Sequence, residues 1–276
     1  MEFRVLGPVE VRHNGEEVPL DGMKPRTVLA ALLIAGNRMV SDAEMTRYVW
    51  GQHPPNTVNA QIYSYVSRLR KLFGQHATFM RRSPGYLLRI ESSRLDLAEF
   101  EEQALHGQTA LLDGRFEESA ALLRSALSLW RGRALVNVSE YLSDAEGPRL
   151  EEARISALAG RVDADLALGR HIPLLPELTR LVRLYPTQER FRAQLMTVLY
   201  RCDRQADALA LYEQGRRMLA DELGIDPGSL LRGVHHAILT GSPELWPARS
   251  RLATVGVAGD GSGTSLENHL FRIGKI

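Results

Sequence analysis

Residues 56–74 read NTVNAQIYSYVSRLRKLFG, and they form the most informative stretch of the chain. At 100° per residue, its large apolar and aromatic side chains fall within one arc of about 120°, the width that an amphipathic helix buries. These side chains are Val58, Ile62, Tyr65, Val66, Leu69, Leu72 and Phe73. Asn56 is a suitable N-cap for such a helix and Gly74 a suitable stop. The stretch therefore predicts a helix with one buried face.

The opposite face of this helix has a composition suited to DNA. It combines small and hydrogen-bonding side chains with cations, and it has no carboxylate. A solvated face usually mixes both charge signs, whereas Gln, Asn and Arg supply the donors that base edges and phosphates accept. DNA recognition is therefore favoured over a merely solvated face. The predicted DNA-binding residues of this helix are Asn59, Gln61, Tyr63, Ser64, Ser67, Arg68, Arg70 and Lys71.

The residues before this helix predict a small antiparallel sheet and two more helices. The first 20 residues alternate between apolar and polar, with a turn at Asn14-Gly15. Pro25 marks the start of a first helix. Ser41 and Glu44 have the spacing of a capping box, which starts a second helix that ends near Trp50.

A predicted hairpin follows the third helix. Its strands flank Ser83-Pro84-Gly85, and Arg81 and Arg82 stand beside this turn. Strands, three helices and a closing hairpin, in that order, are typical of a winged helix-turn-helix, whose wing contacts the phosphates that flank the groove. We therefore add Arg81 and Arg82 to the predicted DNA contacts.

The charge distribution supports this interpretation. The 276 residues carry a net charge of +1, but residues 1–96 have 13 basic and 9 acidic side chains, and residues 97–276 have 21 and 24. Residues 45–90 hold seven basic side chains and no acidic one. A stretch of one sign inside a folded domain is typical of an anion-binding surface.

The connection between the second and third helices is predicted to be exposed and stiff, because it contains Pro54 and Pro55. We interpret it as a contact loop, with Gln52, His53 and Asn56 as candidate contact residues. Alternatively, the loop only fixes the angle between the two helices.

The second half of the chain is rich in Leu and Ala at helical spacing and contains a repeat. Turns at Gly114, Gly169 and Asp203 are each followed by an amphipathic pattern, and the last two are 34 residues apart, the tetratricopeptide (TPR) period. Three such helix pairs predict a short all-α solenoid with a concave surface. The surface would be a protein or peptide site, and a purely structural or dimerising role is the alternative.

Other function classes find little support in the sequence. Cys202 is the only cysteine, so disulfides and multi-cysteine metal sites are excluded, and no catalytic or phosphate-loop motif stands out. We expect no enzyme activity, no cofactor and no metal. The longest apolar run, residues 28–35, is too short to span a bilayer, so we expect a cytoplasmic, nucleoid-associated protein.

Several motifs in fixed order resemble the Streptomyces antibiotic regulatory protein (SARP) family. They are Leu6-Gly7-Pro8, Lys24-Pro25-Arg26, Val49-Trp50-Gly51, residues 65–71 (YVSRLRK), Pro84-Gly85-Tyr86, residues 129–135 (LWRGRAL) and residues 221–228 (DELGIDPG). The resemblance implies an OmpR-type winged-helix domain followed by a bacterial transcriptional activation domain. It also implies a pathway-specific activator of an antibiotic or secondary-metabolite gene cluster that binds tandem direct repeats as a dimer on DNA and recruits RNA polymerase. With that implication, Gln52, His53 and Asn56 of the exposed loop become the candidate contacts with RNA polymerase holoenzyme.

Together, the patterns predict a mostly α protein with small sheets. The expected divisions are a winged-helix domain at 1–96, a TPR-like activation domain at 97–241 and a flexible tail at 242–276. The alternative function is a TPR adaptor whose basic N-terminal domain binds an acidic protein.

Overall fold

Short strands form where the first residues alternate between apolar and polar. The computed structural model describes residues 1–90 and 93–246. Strands β1 (Glu2–Arg4), β2 (Glu10–His13) and β3 (Glu16–Val18) are antiparallel, and β7 (Arg94–Leu95) pairs with β1 in parallel, which gives the sheet order β3-β2-β1-β7. Asn14 and Gly15 form the predicted turn, with φ of 51° and 86°.

The predicted winged helix-turn-helix is confirmed. Its further elements are α1 (Met23–Ala35), β4 (Val40–Ser41), α2 (Asp42–Trp50), α3 (Val58–Phe73), β5 (Ala77–Arg82) and β6 (Gly85–Ile90). The wing strands β5 and β6 join β4 in a second sheet of order β4-β6-β5. The capping box of α2 forms as predicted, because the Ser41 hydroxyl accepts from the Glu44 amide and the Glu44 carboxylate accepts from the Ser41 amide.

Two details of α3 differ from the prediction. Its N-cap is Thr57 rather than Asn56, and no side chain accepts the first free amides. Asn56 lies one residue too early because the chain leaving Pro55 first makes a turn, in which the Val58 amide donates to the Pro55 carbonyl. Leu72, at the margin of the predicted apolar arc, remains 42% exposed.

The rest of the described chain is helical. The helices are α4 (Asp96–Leu112), α5 (Phe116–Ser128), α6 (Glu140–Ala167), α7 (Leu174–Leu184), α8 (Glu189–Arg201), α9 (Gln205–Leu223) and α10 (Ser229–Thr240). Gly114, Gly169 and Asp203 have φ of 74°, 77° and 58°, so the three aligned repeat positions share one backbone conformation. A helix pair follows each of them, as the repeat predicts.

The first compact unit is discontinuous in sequence. It comprises Met1–His106 and Leu122–Ala157. Its core combines side chains of the winged helix with side chains from the first part of the helical half, including Phe100, Leu123, Leu135, Leu142 and Leu150. The predicted domain boundary at residue 96 therefore stays a prediction. The first compact unit continues past residue 96.

The second unit comprises Gly107–Ala121 and, within the described chain, residues 158–246. It contains a small apolar cluster around Leu111, Ala120 and Ala164, and α8 packs against α7, α9 and α10.

The predicted tail begins with an ordered segment, since Pro243–Leu245 form a 3-10 helix and the Arg201 side chain donates to the Leu245 carbonyl. Residues 247–276 lie outside the described part of the chain. Within residues 1–90 and 93–246, no helix combines the length and the apolarity needed to cross a membrane.

Candidate DNA interface

The inner face of α3 is fixed by the core of the first unit. Ile62, Val66, Leu69 and Phe73 are at most 2% exposed. Phe73 packs edge-on against Phe3 of β1, with ring centroids 5.3 Å apart. These contacts fix the rotation of α3 about its axis, so the opposite side chains point to solvent.

None of the predicted DNA-binding residues of α3 is buried. Asn59, Tyr63, Arg68, Arg70 and Lys71 are exposed, and Gln61, Ser64 and Ser67 are partly exposed. Tyr63 is 64% exposed, an unusual state for an aromatic side chain on a helix. The predicted face therefore lies on the surface as one continuous strip along α3.

Gln61 is held in place by its neighbours on the helix. Its side-chain amide donates to Thr57 Oγ1 at 3.0 Å, and the Tyr65 hydroxyl donates to Gln61 Oε1 at 3.2 Å. The Tyr65 ring in turn stacks on Trp50 at the end of α2, with centroids 6.4 Å apart. The amide is therefore oriented before any ligand arrives, which lowers the entropy that a base contact would cost.

Arg70 connects α3 to the wing. Its guanidinium donates to the Phe79 carbonyl of β5 at 2.8 Å. A guanidinium has five N–H donors, so this bond leaves others available to a phosphate. Arg70 thus positions the wing strand relative to α3 in addition to its predicted role.

Arg81 differs from the prediction, because its guanidinium is engaged by a carboxylate of the protein. It forms a bidentate pair with Asp42 at 2.6 and 2.7 Å and lies 4.6 Å from the centroid of the Tyr86 ring. The hydrogen bond and the charge of Asp42 raise the pKa of Arg81. The acid-free stretch of residues 45–90 gives no sign of this, because Asp42 precedes it by three residues and approaches the wing only in the folded chain.

Three of the five predicted cations have no partner in the described part of the protein. The side chains of Arg68, Lys71 and Arg82 are exposed and form neither hydrogen bonds nor ion pairs within the described residues. Their positive charge is therefore uncompensated by the protein, which is the condition for attracting phosphate groups. Residues 1–90 and 93–246 contain no cluster of three or more His, Cys, Asp or Glu side chains that could hold a metal ion.

The loop between α2 and α3 presents the predicted polymerase contacts. Gln52, His53 and Asn56 are all exposed. Gly51 begins the loop with φ of 63°, and a Cβ at this position would overlap the ring of Tyr141. Only glycine fits there, and Tyr141 of α6 therefore supports the loop from behind.

Residues 129–139 form a support for the winged helix that local sequence patterns do not reveal. The amides of Arg131 and Leu135 donate to the carbonyls of Leu6 and Gly7, each at 2.8 Å. The amide of Ser139 donates to Thr27 Oγ1 at 2.9 Å. These partners are more than 100 residues apart in sequence, so no local signal could have indicated them.

Ser139 and Asp96 complete this support with buried polar groups. The Ser139 hydroxyl donates to the Tyr48 carbonyl and accepts from the Leu142 amide at 3.2 Å, which caps α6. Asp96 accepts from the amides of Val5 and Leu6 at 2.8 to 3.0 Å. Burial raises the pKa of Asp96, while these bonds and Arg131 act in the opposite direction.

Comparisons with known proteins agree with this architecture. A family model described as the bacterial transcriptional activator domain matches residues 95–239. The regulatory protein DnrI of Streptomyces peucetius is 34% identical over 254 residues, an alignment that covers 88% of this chain and 93% of DnrI. The chain belongs to the Streptomyces antibiotic regulatory protein family.

Other relatives place this SARP-family chain among regulators of different length. The regulatory protein AfsR of Streptomyces griseus is 39% identical over 245 residues, which cover 89% of this chain and 25% of AfsR. The chain thus spans a quarter of the length of that relative. A solved structure of Mycobacterium tuberculosis EmbR in complex with a low affinity phosphopeptide has a TM-score of 0.80 and 34% identity, covering 92% of this chain and 70% of that chain.

Proposed function

We propose that this chain is a sequence-specific DNA-binding transcription activator of an antibiotic or secondary-metabolite gene cluster. The observation that carries the proposal is the exposed face of α3, where Arg68 and Lys71 have no protein partner within the described residues and polar side chains lie between them and the helix start. The membership in a family of regulators supports the same function. The adaptor alternative has no support among the relatives.

In the proposed complex, α3 enters the major groove. Its N-terminal and central side chains, Asn59, Gln61, Tyr63, Ser64 and Ser67, contact base edges. Arg68, Arg70 and Lys71 contact phosphates on α3, and Arg82 does so from the wing. Arg81 reaches a phosphate only when it leaves Asp42. Such contacts position the protein, while the bases provide the specificity.

The proposed activator acts inside the cell at promoters that contain tandem direct repeats. Two protomers bind the repeats head to tail as a dimer on DNA, and the exposed loop with Gln52, His53 and Asn56 contacts RNA polymerase holoenzyme. The repeats and the dimer rest on the family resemblance alone. The polymerase contact is supported by the exposure of the loop and by its stiffening prolines.

The direct test is selection of binding sites from a random double-stranded DNA library with the purified full chain, followed by footprinting of the selected duplex. We expect the double variant R68A/K71A to bind this duplex at least tenfold more weakly. The slope of log K against log salt should fall in magnitude by about 0.9 for each phosphate that the variant no longer neutralises. Arg180→Ala combined with Arg217→Ala is the matched control, because it also removes two exposed cations, which belong to α7 and α9. Equal binding by R68A/K71A and the parent chain would contradict the proposal.

A further inference from the structure

A groove runs along the second unit between α7 and α9, with α8 as its floor. It has a main part of about 770 Å³ and a smaller part of about 360 Å³. Both parts are lined by Thr179, Leu195, Leu211 and Gln214, so they are continuous with each other. Volumes of this size are typical of binding sites.

The helices that form the groove contribute periodic stripes of largely apolar side chains to its lining, which polar and charged side chains complete. Leu175, Thr179 and Val182 line it from α7 at spacings of four and three residues, and Leu195 and Leu199 line it from α8. Regular i, i+4, i+7 stripes form a surface into which the apolar face of a helical peptide packs. The rim residues Ala210 and Gln214 are exposed, so the groove is open to solvent and a chain segment can enter from the side.

The charges that line the groove are mainly positive. Asp207 forms an ion pair with Arg204 at 2.7 Å, so neither contributes a free charge. Arg183 is exposed, lines the smaller part and has no ion pair within the described residues. Arg192 lines the same part and is only 4% exposed.

Arg192 is a buried cation that lacks a carboxylate partner. Its guanidinium donates to the carbonyls of Leu211 at 3.2 Å and of Pro186 at 3.5 Å, and no carboxylate of the described residues lies within 4.0 Å of it. Burial lowers its pKa, which reflects the cost of removing its charge from water, and the charge of Glu189 acts in the opposite direction. The side chain passes over Gly215, where a Cβ would lie 2.5 Å from Arg192 Cδ. A buried cation is stabilised most by an anion that approaches from the open side.

We propose that this groove binds an acidic peptide segment of a partner protein. A carboxylate of the peptide pairs with Arg192 and Arg183. Leucine-like side chains of the peptide pack on Leu195, Leu199 and Leu211. The occupant is a peptide because the groove is long and open, and it is acidic because the unpaired side chains of the groove are cations. The site lies outside the proposed DNA interface and uses none of its residues.

The first test uses the full chain and a random dodecapeptide library displayed on phage. We expect the selected peptides to combine Asp or Glu with Leu, Ile, Met or Phe at spacings of three and four residues. Selection of basic or uncharged peptides would contradict the proposal. So would a failure to enrich any peptide above a surface without protein.

The second test compares two variants of α7 that carry the same change in charge. Arg183 lines the groove, whereas Arg180 is exposed on the same helix and lies outside the groove lining. The selected peptide, labelled with fluorescein, should bind R183E at least tenfold more weakly than the parent chain and R180E less than twofold more weakly. Equal losses would show a general charge effect and overturn the assignment of the site.

A third test uses two further variants, one at the buried cation and one at the rim. Arg192→Gln should reduce the preference for an acidic peptide over the same sequence with Gln for Glu, because only Arg183 then remains to pair with the carboxylate. Because R192Q changes a buried residue, Gln214→Trp is the second variant, which fills the groove from its exposed rim and should weaken binding at least tenfold with an unchanged melting temperature. Both variants should bind the selected DNA duplex as the parent does, which separates this site from the proposed function. Unchanged peptide binding in Q214W, or displacement of the peptide by the duplex, would refute the groove as its site.

Discussion

The pair between Arg81 and Asp42 occupies donors that a wing arginine would otherwise offer to a phosphate. Both side chains are partly exposed, at 48% and 29%. Ion pairs at the surface contribute about 0–1 kcal/mol, so a DNA phosphate can compete with Asp42 for the guanidinium. We therefore expect Asp42 to compete with DNA phosphates for Arg81 and to weaken DNA binding.

Removing the charge of Asp42 should strengthen DNA binding. In Asp42→Asn, Arg81 loses its partner and becomes available to the duplex, so the salt dependence should steepen by about 0.9 in log K against log salt. The measurement is a salt titration of binding to the duplex selected above. Asp21→Asn is the control, because Asp21 is an exposed aspartate of the same unit that has no ion pair within the described chain. An identical slope in D42N and D21N would show that Arg81 does not reach the phosphates.

Ser139 carries an unusual share of buried hydrogen bonds for one small side chain. Its hydroxyl serves the Tyr48 carbonyl and the Leu142 amide, and the residue is 2% exposed. Ser139→Ala leaves both groups without this partner in the interior, which should lower the free energy of unfolding by about 1–3 kcal/mol. Urea unfolding measures this as a lower midpoint. Ser125→Ala, on the exposed side of α5, should change the midpoint little, and an equal effect of the two variants would contradict the role of Ser139.

At the scale of elements, the two faces of α3 differ in burial, so stability and the proposed DNA recognition can be tested separately. Ile62 is 1% exposed and its neighbour Tyr63 is 64% exposed. Ile62→Ala should lower the free energy of unfolding by about 2–5 kcal/mol because it opens a cavity in the core. Tyr63→Ala should stay within about 0.5 kcal/mol of the parent but weaken DNA binding severalfold. Urea unfolding and duplex binding of both variants test this, and a destabilised Y63A would place the tyrosine in the core.

Element types and order can be predicted from the sequence because their causes are local. The capping box of Ser41 and Glu44, the Asn14-Gly15 turn and the apolar arc of α3 each act over a few residues. The predicted start of α3 lies one residue early, because an asparagine before a threonine offers two neighbouring capping positions and only the path after Pro55 selects between them. Leu72 lies at the margin of the predicted apolar arc. Whether such a side chain is buried depends on the elements that pack against it, which helical spacing alone does not show.

At the scale of the whole molecule, the winged helix does not complete its core alone. Residues 122–157 add Leu135 and Leu142 to that core and donate amides to the carbonyls of Leu6 and Gly7. The repeat pattern of the helical half gives no indication of these contacts. The partners could not be predicted, because backbone hydrogen bonds between distant segments leave no pattern in side-chain type.

Hydrogen exchange should assign residues 131–139 to the first unit. In Ile62→Ala, exchange of the amides of Arg131, Leu135 and Ser139 should accelerate together with that of α1, because all belong to one cooperative unit. The amide of Met196 in α8 should be unaffected. Leu178→Ala, in the core of the second unit, is the reciprocal control and should accelerate Met196 alone. Exchange of Ser139 that follows Met196 instead would contradict this division.

The hydrogen bonds from Arg131 and Leu135 to Leu6 and Gly7 also limit how such regulators can exchange parts. A chimaera of two such regulators joined at residue 96 would combine residues 1–96 of one parent protein with the supporting residues 122–157 of the other. A recombinant with a new target would therefore need both pieces from the same parent, although α4 and the start of α5 separate them in the gene. We therefore expect the proposed promoter choice to be inherited together with residues 122–157, which lie outside α3 and the wing.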